Sequence, residues 1–239
     1  MDLRGKLAII TGAGRGIGRA LAVGLAEKGC KVVLAARTAS QLEEVAQQIV
    51  AAGGESLAVP VDIGVAAGVR ELMRATLDRF GTVDILINNA AVLPATPFLD
   101  ITEKEWDTTM AINLRAPFLL SQAALRVMKE KRSGYIINIS STAALEVPAA
   151  IATYGISKKG LIGMSEALYA VAREYGVKVS TIYPGLTDTE MLRGFNPAVD
   201  PSRWMQPEDI VGCIIFLLEQ SDRVVVRDIV PWAARHDQI

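Results

Sequence analysis

Short β-branched runs alternate with longer amphipathic stretches along the whole chain. "KLAII" (6–10), "KVVLAA" (31–36), "SLAVPVD" (56–62), "VDILINNA" (83–90), "GYIINISS" (134–141) and "VKVSTIYPG" (177–185) read as strands. Helical patterns fill the gaps, at about 17–28, 39–54, 65–80, 103–113, 115–131, 153–176 and 207–220. In the second of these, Leu42, Val45, Ala46 and Ile49 share one face before a pair of glycines. "RVVVRDIV" (223–230) can supply a last strand. Alternation at this spacing predicts βαβ units and a parallel sheet. "VDILINNA" is apolar at successive positions, as strands covered on both faces are. We therefore expect one α/β domain over 1–239, a doubly wound parallel sheet of about seven strands with helices on both faces.

Composition removes several classes of function. The net charge of −1 offers no footprint for nucleic acid or an anionic membrane. No apolar run approaches the ~18 residues of a membrane span. The opening "MDLRGKLAII" has no secretory h-region, so a cytoplasmic location is expected. Cys30 and Cys213 make no cluster and read as small buried hydrophobes. His236 is the only histidine, which argues against a metal site or a histidine triad.

"TGAGRGIG" (11–18) places Gly12, Gly14, Gly16 and Gly18 where the first strand turns into the first helix. Such a turn aims backbone N–H groups and a helix N-terminus at a phosphate. A side chain at Gly12 or Gly18 would obstruct it. A plain glycine-rich turn has the same composition, but the strand before and helix after favour nucleotide binding. The TGxxxGxG spacing resembles the cofactor loop of the short-chain dehydrogenase/reductase family. "NNA" (88–90), Asn113, Ser141 with Tyr154-x-x-x-Lys158, and Pro184–Gly185 with Thr189 extend the resemblance over about residues 5–220. It implies a Rossmann-type fold and hydride transfer between a nicotinamide and a carbonyl carbon. It also implies cofactor contacts from Ile17, Ile63, Asn89, Ala90, Pro184, Gly185, Thr187 and Thr189. Thr187 stands where the family usually has Val or Ile, and its backbone contacts should survive. Asp62 looks like the acid on the adenine amino group, or else a turn aspartate.

The nucleotide selector lies at the end of the second strand, roughly 20 residues past the glycines. Ala36 occupies it, followed by Arg37; the next acid, Glu43, is already on a helix. Arg15 lies inside the glycine loop. Two guanidiniums without a carboxylate suit a 2′-phosphate, so NADP(H) is favoured over NAD. The alternative is that both are ordinary surface charges.

Tyr154 and Lys158 share one helix face, a turn apart. A nearby ammonium should favour the phenolate and lower the tyrosine's pKa. Ser141 closes the fifth strand, where its hydroxyl can bond a carbonyl or alkoxide oxygen. Ser140 competes, but spacing to Tyr154 favours Ser141. The resemblance implies that the tyrosine exchanges a proton with the substrate, and that Lys158 also holds the nicotinamide ribose. Asn113 resembles the family's fourth catalytic residue, bending its helix and holding water for a proton relay; a simple helix-interrupting cap is the alternative.

Ala91 and Ala144 replace family glycines and should cause only small shifts. The C-terminal tail (about 230–239) contains no glycine, unlike many 3-ketoacyl-carrier-protein reductases. Residues 190–206 form the expected substrate lid, with Arg193, Phe195, Trp204 and Met205. Leu93, Leu145, Leu186 and Met191 are candidate pocket walls or core residues. Arg126, Lys129, Lys131, Arg132 and Arg173 suit either an acyl carrier protein or the dipoles of helix C-termini. Spare apolar surface on the helices near 115–131 and 155–174 predicts a homo-oligomer, dimer or tetramer.

The expected reaction is NADPH-dependent reduction of a small ketone to a secondary alcohol, without a metal. Rival readings are a 3-oxoacyl-carrier-protein or CoA reductase, an NADP-dependent 3-hydroxy acid dehydrogenase, and a non-catalytic NADPH sensor.

Overall fold

A computed structural model of the chain describes residues 1–195 and 203–234. Seven strands form one parallel sheet: β1 (Leu7–Thr11), β2 (Lys31–Ala36), β3 (Glu55–Pro60), β4 (Ile85–Asn88), β5 (Gly134–Ile139), β6 (Val177–Ile182) and β7 (Asp228–Ile229). Their order is β3-β2-β1-β4-β5-β6-β7. The helices are α1 (Gly16–Glu27), α2 (Ala39–Ala51), α3 (Ala66–Phe80), α4 (Glu103–Met110), α5 (Ala116–Glu130), α6 (Ala152–Ala172), α7 (Glu190–Phe195) and α8 (Pro207–Glu219).

Both faces of the sheet are covered, which explains strands apolar at every position. Ala8 and Ile10 of β1 join Leu21 of α1 and Ile214 of α8 on one side. Leu7 and Ile9 join Leu72 of α3 and Leu120 of α5 on the other. β1 thus keeps its period of two while burying both phases. The winding reverses between β1 and β4, opening a crevice beyond their carboxyl ends. A buried polar chain stiffens the sheet beside it. Asn88 donates to Asn138 across the β4–β5 register (2.8 Å) and to Ser121 of α5 (3.0 Å). Asn138 in turn donates to Ser165 of α6 (2.8 Å).

Several boundaries depart from expectation. The last strand shrinks from 223–230 to Asp228–Ile229. It lies at the sheet edge, and Pro231 has no N–H with which to continue the ladder. The chain nevertheless stays beside β6, since Gly185 donates to the Pro231 carbonyl (3.0 Å). The two helices expected near 103–113 and 115–131 are joined by a π-turn, Ala111–Arg115, which contains Asn113. Cys30 is buried, with its thiol on the Leu3 carbonyl, whereas Cys213 is only half-buried against the core. Lys131 pairs with Asp84, and Arg132 donates to the Glu174 carbonyl (3.1 Å), so part of the cation cluster serves local partners. Among the described residues, no helix is long and apolar enough to cross a membrane, and no group of residues could hold a metal ion. His236 and the rest of residues 235–239, and residues 196–202 of the expected lid, lie outside the described residues.

Candidate active site

The glycine loop is shaped by backbone, and its neighbours brace it. The Thr11 hydroxyl accepts from the backbone N–H groups of Asn89 and Ala90, each at 3.0 Å. The Asn89 amide donates back to the Thr11 carbonyl at 2.8 Å. Gly12 and Gly16 have φ of 67° and 52°, the left-handed region that disfavours side chains. A Cβ on Gly18 would lie 2.1 Å from the Gly12 carbonyl oxygen. The loop therefore offers an open cradle of peptide N–H groups at the start of α1, and these residues fit a dinucleotide phosphate.

That loop forms one wall of a cleft of about 1190 Å³. Every residue assigned to cofactor, catalysis or pocket lines it, except Asn113 and Leu145. Arg37 is exposed at the mouth beyond β2. Arg15 reaches across the mouth to Glu190 of α7, at 3.0 Å. Thr189 packs against Gly16 and accepts from the Leu192 N–H (3.3 Å), linking the glycine loop to the start of α7. The Asp62 carboxylate accepts from the Gly64 N–H at 2.8 Å, a turn that leaves it at the cleft wall.

Leu145 is not a pocket wall. The chain after Ser141 coils into a short helical turn, Thr142–Ala144, which sends Leu145 outward, 48% exposed. Glu146 and Val147 line the cleft in its place. The sequence reading also missed Trp232. The tail returns beside Gly185 and brings that indole to the cleft. The aromatic Trp in "VPWAA" was visible, but nothing local reported where the tail would run.

At the reacting end, Ser141 and Tyr154 both line the cleft, and the Ser141 hydroxyl accepts from the Ala143 N–H at 3.1 Å. The Ser140 hydroxyl instead donates to the Lys158 carbonyl at 3.1 Å. Lys158 is 2% exposed, with Nζ donating to the Ile139 carbonyl at 2.7 Å. That nitrogen sits 5.8 Å from the centre of the Tyr154 ring. Tyr154 is 8% exposed, and burial raises its pKa above the usual phenol value, opposed by the neighbouring Ser141 hydroxyl. Burial also pushes the Lys158 amine down from 10.5 to about 7. A half-charged amine has less field with which to hold a phenolate.

Asn113 stands outside the cleft and is fully engaged. Its amide donates to the Val92 carbonyl (2.9 Å) and the Ser157 hydroxyl (3.0 Å), and its carbonyl accepts from the Val92 N–H (2.9 Å). With these bonds made, the side chain is not free to act on substrate. It braces the cleft wall at Val92 and the residue preceding Lys158.

The buried lysine carries a stability consequence. An unfolded chain keeps this proton up to about 10.5, whereas the folded protein releases it from about 7. Between those values the unfolded state binds more protons, so folding gains stability as pH rises through the window. Lys158→Met should be more stable than the parent below pH ~7, by roughly 3–5 kcal/mol. The difference should shrink toward pH ~10. Denaturant unfolding of both proteins across that range checks it; parallel stability curves would contradict it.

A nucleotide-sized cleft at the switch point of a doubly wound sheet, holding a serine, a tyrosine and a lysine, defines a dinucleotide-linked oxidoreductase fold. The chain belongs to the short-chain dehydrogenase family, whose pattern it matches over residues 6–200. It is 36% identical over 227 residues to an uncharacterised oxidoreductase of Staphylococcus aureus (strain N315), covering 95% of this chain and 96% of that one. It is 35% identical over 221 residues to a 3-oxoacyl-[acyl-carrier-protein] reductase of Synechocystis, covering 90% of each. Among solved structures, a metagenomic short-chain oxidoreductase in complex with NADP superposes with a TM-score of 0.85. That protein is 34% identical, with 96% of this chain and 97% of that one covered.

Proposed function

We propose that this protein is an NADPH-dependent carbonyl reductase, converting a ketone reversibly to a secondary alcohol. The observation that carries this reading is one cleft lined by Ser141, Tyr154, buried Lys158 and the bare glycine loop. When bound, NADP(H) supplies or takes up the hydride at nicotinamide C4. The chain's own residues do the remaining work. Gly12, Gly14, Gly16 and Gly18 leave backbone N–H groups open to the pyrophosphate. Arg15 and Arg37 hold the 2′-phosphate, with no carboxylate at Ala36 to repel it. Arg15 must exchange Glu190 for that phosphate.

Ser141 orients the carbonyl oxygen and stabilises charge growing on it. Tyr154 gives its proton to the same oxygen, and the resulting phenolate is re-protonated from solvent. Burial keeps the phenol protonated through neutral pH, which suits the reducing direction. Lys158 donates to ribose hydroxyls. Asn113 is a positioning residue. Pro184, Gly185, Thr187 and Thr189 wall the nicotinamide side, and Leu93, Leu186 and Met191 the substrate side. Exposed Phe118 on α5 and Val171 on α6 support assembly into a homo-oligomer, dimer or tetramer.

The cofactor assignment is tested by titrating NADPH and NADH separately. The parent protein should bind NADPH about tenfold or more tightly than NADH, and Arg37→Asp should erase that preference. A preference for NADH in the parent would overturn it.

A further inference from the structure

The charges lining the cleft are segregated. Among the described residues, Arg15, Arg37 and Asp62 flank the nucleotide end. Lys158 has its amine on the Ile139 carbonyl. The rest of the lining is largely apolar, including Leu93, Val147, Met191, Phe195 and Trp232, and its charged residues are Glu146 and Glu190. Glu190 lies beside Arg15 at 3.0 Å, so it belongs to the nucleotide side of the cleft. The Glu146 side chain has no hydrogen-bond or ion-pair partner among the described residues. It lies on the turn joining Ser141 to Tyr154, whose Val147 presses against Gly155.

The geometry points to Glu146 as a specificity-determining residue that selects substrate by charge: it disfavours anionic ketones and favours neutral or cationic ones. This inference rests on the reductase reading and narrows it. A ketone seated on Tyr154 and Ser141 must project its remainder along the apolar wall, past a carboxylate with no countercharge. A carboxylate or phosphate on that remainder is repelled, whereas a protonated amine is attracted and can also meet the Trp232 face. The substrate class is then an apolar ketone that is uncharged or carries a basic amine. The 3-keto acids and phosphopantetheine-linked acyl chains fit poorly. Of the cation cluster at the end of α5, Lys131 already meets Asp84 and Arg132 the Glu174 carbonyl.

The test uses three aryl methyl ketones of similar size, bearing a para carboxylate, methyl or aminomethyl group. kcat/KM is measured with saturating NADPH at low salt. The expected order is cation, then neutral, then anion, with about threefold between steps, since one partly screened charge is at work. Glu146→Gln should bring the cation-to-anion ratio down about tenfold, and added salt should do the same to the parent alone. Each ratio is taken within one preparation, so partial loss of folded protein cancels. A parent enzyme that prefers the carboxylate, or a ratio unmoved by Glu146→Gln, overturns the inference and leaves the reductase reading standing. Failure to turn over any of the three ketones removes both.

Discussion

Tyr154→Phe should lower ketone-dependent turnover by about a thousandfold or more, while NADPH affinity stays within about threefold. The substitution removes one hydroxyl and keeps the ring that fills the site. What disappears is the proton donor. The glycine loop, Arg15 and Arg37 are untouched, so the nucleotide should bind as before. A general acid typically contributes a factor of 10²–10⁴, and here nothing nearby can substitute. Lys158 is assigned to the ribose hydroxyls and bonds the Ile139 carbonyl, and the only histidine in the sequence is His236. Steady-state rates together with a fluorescence titration of NADPH separate the two effects. Turnover within tenfold of the parent would remove Tyr154 from its role.

Gly18→Ala should weaken NADPH binding by about a hundredfold or more and lower the melting temperature. The new methyl would sit 2.1 Å from the Gly12 carbonyl oxygen and 2.6 Å from the Asn89 amide nitrogen. Neither can yield cheaply. The carbonyl belongs to the loop itself, and the amide holds that loop to β4 through Thr11. Relief requires the cradle to open, which costs both packing and the aim of its N–H groups. Gly212→Ala supplies the contrast. It lies on the exposed face of α8 with nothing within 4 Å of the added carbon. That variant should gain about 0.5–1 kcal/mol from helix propensity and leave binding alone. Equal behaviour of the two variants would mean that loop geometry is not what binds the nucleotide.

Much of this architecture is legible in the residues, because its causes are local. Strand–helix alternation follows from which positions are apolar, and the sheet order follows from parallel pairing with crossovers. Ser141, Tyr154 and Lys158 could be paired by spacing, since a strand end and one helical turn are short-range facts. The parts that escaped depend on distant chain. The rise in the Tyr154 pKa is a burial effect produced by walls from several elements. Leu145 turned outward because three residues before it coil instead of extending. Trp232 entered the cleft because the tail runs on beside β6 past Gly185. Asn113 was identified, but its partners at Val92 and Ser157 come from a loop and a helix far along the chain.

The central claim is that this cleft passes a hydride from a nicotinamide to a ketone carbon while Tyr154 protonates the oxygen. It is tested most directly with NADPH carrying deuterium at the transferred C4 position, incubated with the protein and a neutral aryl ketone. Mass spectrometry of the product should show an alcohol with a single deuterium on the carbinol carbon. No alcohol from any neutral ketone, or alcohol without the label on that carbon, would contradict the account.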